Sequence, residues 1–192
     1  MTGLSGLESK VRDVPGSRPA PDTRDALYAD ASRAYGAMIA RLSAGYEAEP
    51  ALREDLEQEI HFQLWRSLAS FAGQCSLATW IHRVAHNVGA RHVDRAVRAK
   101  RVMSLDGIDG VDIADEGAGP EARADAAMTL DRLYALIWRL KPVDRQLVLL
   151  HLEEVDAATA AEITGLTPGA VATRIHRIKA LLARSFAQGA LS

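Results

Sequence analysis

The feature that most limits what this chain can fold into lies near its end. A short helical run, AATAAEIT, stops at Gly165, and Leu166, Thr167 and Pro168 then open a longer stretch that carries no acidic residue. Glycine takes the left-handed conformation of a tight turn without steric cost. Threonine is a good N-cap, and proline suits the first helical position. In the last helix Val171, Ile175, Ile178 and Leu182 are spaced by four, three and four, which makes one buried seam. Ala170, Thr173, Arg174 and Arg177 lie on another face. Small residues there permit close approach to base edges, and the arginines reach bases or phosphates. Lys179 and Arg184 suit phosphate contacts, which position the helix without reading sequence. Residues 155–186 therefore read as a helix-turn-helix that docks on DNA. The plainer reading is a surface helix whose basic residues answer the macrodipole; the turn, the cap and the acid-free face weigh against it.

The rest of the chain reads as helical too. Leu56, Ile60, Leu64 and Leu68 recur every fourth residue, and Ile81, Val84, Ala85 and Val88 form a second stripe. Between them lies FAGQCS, residues 71–76, in which Ser76 can cap the next helix. Leu130, Leu133, Tyr134, Ile137 and Leu140 mark another helix, and Pro142 starts the next, with Val143, Leu147 and Leu150 expected to point inward. No segment alternates with period two, so the fold class expected is all-α. Residues 1–24, rich in Pro, Gly and Ser, read as a flexible tail. Residues 25–102 form a first helical domain and residues 127–187 a second. Between them, residues 103–126 read as a flexible acidic linker.

The net charge of −2 hides a partition. Acid concentrates in residues 47–59 and 106–125, while Arg91, Arg95, Arg98, Lys100 and Arg101 face the single acid Asp94. Two partners of different sign, or one composite partner, are implied. No apolar run is long enough to span a membrane, and the N-terminus has no apolar core of signal-peptide length, so a cytoplasmic location is expected. Cys75 is the lone cysteine and pairs with nothing inside the chain; a small buried or half-buried thiol is the expected role. His82 and His86 are four apart, with His92 near, yet no carboxylate or cysteine joins them at a metal-protease spacing, so no metal site is expected. No phosphate-binding loop, nucleophile elbow or triad is present, so neither an enzyme nor a cofactor is expected.

At these residues the chain resembles a known family. The segment REDLEQEIHFQLWRSLASFAGQCSLATWIHRVAHNVGARHVDR, residues 53–95, resembles region two of the extracytoplasmic-function sigma factors of bacterial RNA polymerase. Glu54, Asp55, Leu56, Gln58, Glu59, Leu64, Trp65, Phe71, Gly73, Thr79, Trp80 and Asn87 match it in order. LKPVDRQLVLLHL and AAEITGLTPGAVATRIHRIKALL resemble region four of the same family. The resemblance implies a region-two bundle of three to four helices, a region-four helix-turn-helix, and promoter recognition on core RNA polymerase. It implies that Glu54, Asp55, Leu56, Gln58 and Glu59 bind the polymerase. It implies that Phe71, Gly73, Ser76, Thr79, Trp80, Arg83, Asn87, Arg91 and Arg95 engage the minus-ten element. It implies that Thr167, Pro168, Gly169, Ala170, Thr173, Arg174, Arg177 and Lys179 engage the minus-thirty-five element, and that an anti-sigma factor restrains the protein. Ala170 and Ala172 stand where many relatives carry Thr and Lys, and Ala72 and Gln74 replace a commoner Arg and Glu, which bears on the promoter sequence.

Melted DNA needs a basic groove and aromatic surfaces for stacking. Arg83, Arg91 and Arg95 recur along one helix and can follow phosphates. Trp65 reads as core, whereas Phe71 and Trp80 stand between core packing and DNA contact. A free-standing helix-turn-helix regulator is the alternative, its first domain serving dimerisation or effector binding. A protein-interaction module is a third reading. A dimeric regulator would more often show a heptad seam, and none is evident.

Overall fold

The computed structural model describes residues 21–105 and 123–189, in seven helices with no strand among the described residues. These are α1 (Pro21–Tyr46), α2 (Pro50–Leu68), α3 (Leu77–Leu105), α4 (Arg123–Trp138), α5 (Pro142–Leu152), α6 (Ala157–Thr164) and α7 (Pro168–Gly189). The all-α class holds. None of the described helices is long and apolar enough to cross a membrane.

Region two is a three-helix bundle. Ile39 and Leu42 of α1, the predicted stripe Leu56, Ile60, Leu64 and Leu68 of α2, and Ile81, Ala85 and Val88 of α3 are all buried. Full burial of each large aliphatic side chain is worth roughly 2 kcal/mol. Prolines set the starts of α1, α2, α5 and α7, where their missing N–H is not needed. Ser76 caps α3 as expected, accepting the Thr79 amide at 3.1 Å.

Region four is built from α4, α5, α6 and α7. Asp156 caps α6, accepting the Ala158 and Thr159 amides at 2.9 and 3.0 Å. Gly165 ends it at φ +73, the left-handed turn expected of that glycine. Thr167 caps α7 through the Ala170 amide. Val171, Ile178 and Leu182 are buried and Ile175 is half-buried, so the predicted seam stands. The α5 end carries a surprise: Glu154 turns the chain at φ 58, a conformation usual for glycine, and Val155 N–H closes the turn on the Leu150 carbonyl at 3.0 Å.

Several expectations need correction. Val143, expected to point inward, is 42% exposed. It lies in the first turn of its helix; periodicity fixes a direction around the axis, not where along it the neighbours begin. Trp65 is half-buried at the rim, not core, because its indole N–H reaches Asp25 at 2.8 Å while Arg24 lies over the ring at 3.8 Å. Helix occupies 21–24 of the stretch read as a tail, and 103–105 and 123–126 of the stretch read as a linker. Residues 1–20 and 106–122, the remainder of those two segments, lie outside the described residues.

The two regions share one hydrophobic core. The α1 end meets α5 so closely that a Cβ on Gly45 would sit 2.4 Å from Leu149 Cδ2. Trp138 Nε1 donates to the Ala44 carbonyl at 3.0 Å. Arg145, 6% exposed, donates to the Tyr46 carbonyl at 3.3 Å and to the Trp138 carbonyl.

Candidate nucleic-acid and polymerase interfaces

The acidic face belongs to α2. Its buried stripe occupies one side, so the opposite side must carry whatever meets solvent. Glu54, Asp55 and Gln58 are exposed and Glu59 is half-buried, its carboxylate accepting from Gln63 at 2.8 Å. Leu56 is 2% exposed and belongs to the core, so it supports this face without forming part of it. Helical spacing places Leu52 and Phe62 beside Asp55 and Gln58, and they are 47% and 52% exposed. Phe62 stacks against Trp65 with centroids 6.4 Å apart. Neither apolar residue is among those expected at this face, although their offset from the Leu56–Leu68 stripe is visible in the sequence. Acids flanked by exposed apolar side chains suit a basic partner surface with an apolar anchor.

The loop between α2 and α3 and the front of α3 hold the expected minus-ten residues. Phe71 is 3% exposed and tilts against Trp80 at 5.4 Å. Trp80 is half-buried and donates its indole N–H to the Ser67 hydroxyl at 3.1 Å. Thr79 is buried and its hydroxyl meets that of Ser76 at 2.9 Å. Phe71 and Thr79 brace the loop from within, and Trp80 braces it while keeping part of its ring exposed. Gly73 and Ser76 are exposed at its tip, with Gly73 at φ +76. Burial raises the Cys75 thiol pKa, with Arg83 opposing, which keeps the half-buried Cys75 a thiol. Asn87, Arg91 and Arg95 are exposed along α3, and Arg91 Nε donates to the Asn87 carbonyl at 3.1 Å. Arg83 is turned to region four, its guanidinium 2.7 Å from Glu162.

The expected minus-thirty-five residues come together at one end of region four except Lys179, which, two residues on from Arg177, points to the other side of α7. Thr167, Pro168, Gly169, Thr173, Arg174, Arg177 and Lys179 are exposed, and Ala170 is half-buried. Thr173 folds its hydroxyl onto the Gly169 carbonyl at 2.9 Å, which turns its methyl group outward. Arg174 bonds Asp144 at 2.9 Å, a partner that holds the guanidinium at the edge of the face. Arg177 and Arg184 border the broad groove that α7 forms with Lys141, the residue before α5, and with Asp144. Ion pairs this exposed add little stability and yield readily to phosphate.

His82 and His86 are not a solvent-facing pair. They stack on α3 with ring centroids 6.1 Å apart, and both are buried. Arg145 is the residue that no local signal marks: an arginine in the first turn of a helix reads as surface, yet it pins the two regions together.

Comparison with known proteins agrees with this geometry. The model of Sigma-70 region 2 matches residues 32–99. That of Sigma-70, region 4 matches residues 130–182. Together they span well over half of the chain. The ECF RNA polymerase sigma factor SigW of Bacillus subtilis (strain 168) is 29% identical over 136 residues, 65% of this chain and 70% of that protein. The ECF RNA polymerase sigma-E factor of Escherichia coli (strain K12) is 26% identical over 132 residues, 65% of this chain and 69% of the relative. Among solved structures, CnrH in complex with the cytosolic domain of CnrY matches with a TM-score of 0.66 at 16% identity, covering 97% of this chain and 99% of that one. The sigma factor RpoE in complex with the anti-sigma factor NepR, from Bartonella quintana, matches with a TM-score of 0.60 at 18% identity, covering 81% and 95%. At those identities the structural likeness speaks for the fold.

Proposed function

The chain belongs to the sigma-70 family as a sigma factor of the extracytoplasmic-function type, and on that premise we propose how its residues divide the work of directing RNA polymerase to promoters. The α2 face of Glu54, Asp55, Gln58 and Glu59, with Leu52 and Phe62 as apolar anchors, binds core polymerase. Gly73, Ser76, Asn87, Arg91 and Arg95, with Arg83 once it leaves Glu162, contact the minus-ten element; Phe71, Thr79 and Trp80 hold the loop that presents them. The α7 face of Thr167 to Arg177 lies in the major groove of the minus-thirty-five element. All of this is binding and DNA opening by contact, with no catalytic side chain and no cofactor, in the cytoplasm where polymerase and promoter meet. An anti-sigma factor is the expected restraint, since both similar solved structures were obtained with a second protein bound.

The single observation that carries the assignment of DNA reading is the exposed face of α7: Thr173, Arg174 and Arg177 project from a capped helix with no acid after Glu162. Arg174→Ala with Arg177→Ala lowers promoter affinity roughly tenfold or more and reduces the salt slope by about one for each phosphate no longer neutralised. Association with core polymerase stays intact. Equal loss of DNA and core binding overturns the division.

A further inference from the structure

We propose that the seam between regions two and four is an acid-labile latch that holds the chain closed with its minus-ten arginine occupied. The inhibitory half of this rests on the reading of Arg83 as a promoter contact. The latch itself rests on the ion pairs across the seam and the buried histidine stack.

Two ion pairs clasp the seam. The Arg41 guanidinium meets both carboxylate oxygens of Glu153 at 2.7 Å, and Arg83 meets Glu162 at 2.7 Å. Each pair joins one helix of region two to region four. The second engages an arginine that would otherwise face phosphate, so closure and use of Arg83 exclude one another.

Behind the clasps lies the histidine stack. The His86 ring nitrogen Nδ1 meets the Tyr46 hydroxyl at 3.0 Å, while its Nε2 and the Nδ1 of His82 are buried without a protein partner. A second proton on either ring would put a charge where nothing accepts it. The groups around the stack are few. Tyr46 faces it from α1, with its carbonyl held by Arg145 of α5. Glu153, at the end of α5, is the carboxylate whose field reaches His82, and Glu162 of α6 is taken by Arg83. Glu153 favours a protonated His82, but burial outweighs it and lowers the His82 pKa. Burial, with His82 adding to it, pushes His86 down to about 3.

Closure requires neutral imidazoles; hydration on opening returns them toward the ordinary value near 6.5. The latch is therefore fully closed above that value and loosens as pH falls below it. One histidine released in this way favours opening about tenfold at pH 5.5.

The test uses the full chain with Cys75→Ser, and Gln58→Cys with Ala183→Cys carrying spin labels; both positions are exposed, one in each region. The distance distribution is measured at pH 7.5 and 5.5, with helicity followed by circular dichroism. The expected result is one short population at pH 7.5. At pH 5.5 a longer one grows about tenfold relative to it, with helicity unchanged. Glu153→Gln with Glu162→Gln is expected to enlarge the longer population a few-fold at pH 7.5, since each exposed pair adds only a little to a seam that the shared core also holds. His82→Gln, the less buried of the two histidines, is expected to blunt the acid response. An invariant distance overturns the latch. So does acid opening accompanied by loss of helicity, which would mean unfolding. Opening by the paired glutamines but not by acid overturns its acid sensitivity. In a second arm, affinity for a fluorescent single-stranded DNA is measured on the opened variant. Opening without a gain in affinity overturns the role of Arg83 while the latch stands.

Discussion

The two regions present the residues proposed to meet DNA in opposite ways. In region four the face of α7 is exposed nearly throughout, with Arg174 tied to a neighbouring aspartate and the Thr173 hydroxyl to its own helix. In region two the aromatic and hydroxyl members of the expected site, Phe71, Trp80 and Thr79, are packed or hydrogen-bonded to the loop they support, and Arg83 is bound across the seam. On the proposed assignment, the difference follows from the kind of target. A duplex groove accepts a preformed helix. A melted strand must be met by a shaped loop, and a loop keeps a shape only if its larger side chains are spent on bracing it. Region four thus reads with a surface, and region two with a surface that its own core manufactures.

This contrast can be broken deliberately. The largest expected effect is on the scaffold of region two. Leu64→Ala empties a site with no exposure and costs roughly 3 kcal/mol, measured as a fall in the denaturant midpoint. Loss of minus-ten and polymerase binding should precede loss of duplex binding by region four. Next comes Gly89→Ala, whose new Cβ would meet the Tyr46 ring at 2.4 Å. The ring is anchored by its bond to His86, so the strain has little relief and costs about 2 kcal/mol. Gly45→Ala meets only the tip of Leu149 and should cost less than half as much; thermal unfolding of the pair distinguishes them.

Asp55→Arg reverses charge on an exposed position and leaves stability within about 0.5 kcal/mol. Core-polymerase affinity should nonetheless fall by tenfold or more while DNA binding by α7 persists. Unchanged core affinity would remove Asp55 from that face. The smallest effect belongs to the α5–α6 turn. Glu154→Gly removes the side chain from a left-handed position and should stabilise by about 0.5 kcal/mol, read as a small rise in Tm. At the same turn the Thr159 hydroxyl and backbone amides hold the Asp156 carboxyl below its ordinary value. Its capping contribution is therefore present above the ordinary carboxylate range and is lost as pH falls through the lowered value. Asp156→Ala should flatten that part of the acid unfolding curve.

Much of this is legible in the chain because helices advertise their buried side. The stripe Leu56–Leu68, the seam of α7, the caps at Ser76 and Thr167 and the turn at Gly165 are all local patterns, and all stand in the structure. What cannot be read is what depends on distant partners. Val143 shares the period of Leu147 yet stays exposed, because depth is set by neighbours rather than by spacing. Trp65 escapes the core through an aspartate forty residues away. Arg145, whose desolvation lowers its pKa, sits buried on two carbonyls, one of them 99 residues distant. The seam is wholly of this kind: none of Arg41, Arg83, Glu153 and Glu162 carries a mark of pairing in its own surroundings.

The claim that one chain grips two separated promoter elements on behalf of polymerase meets its most direct test in reconstituted transcription. Purified chain and core polymerase are given fragmented genomic DNA, and the transcript starts are mapped. The expected result is a set of starts absent with core alone, preceded by two short motifs at a fixed separation. The motif farther from the start should degrade when Arg174 and Arg177 are replaced by alanine. Starts indistinguishable from those of core alone, or a single motif untouched by those replacements, would contradict it.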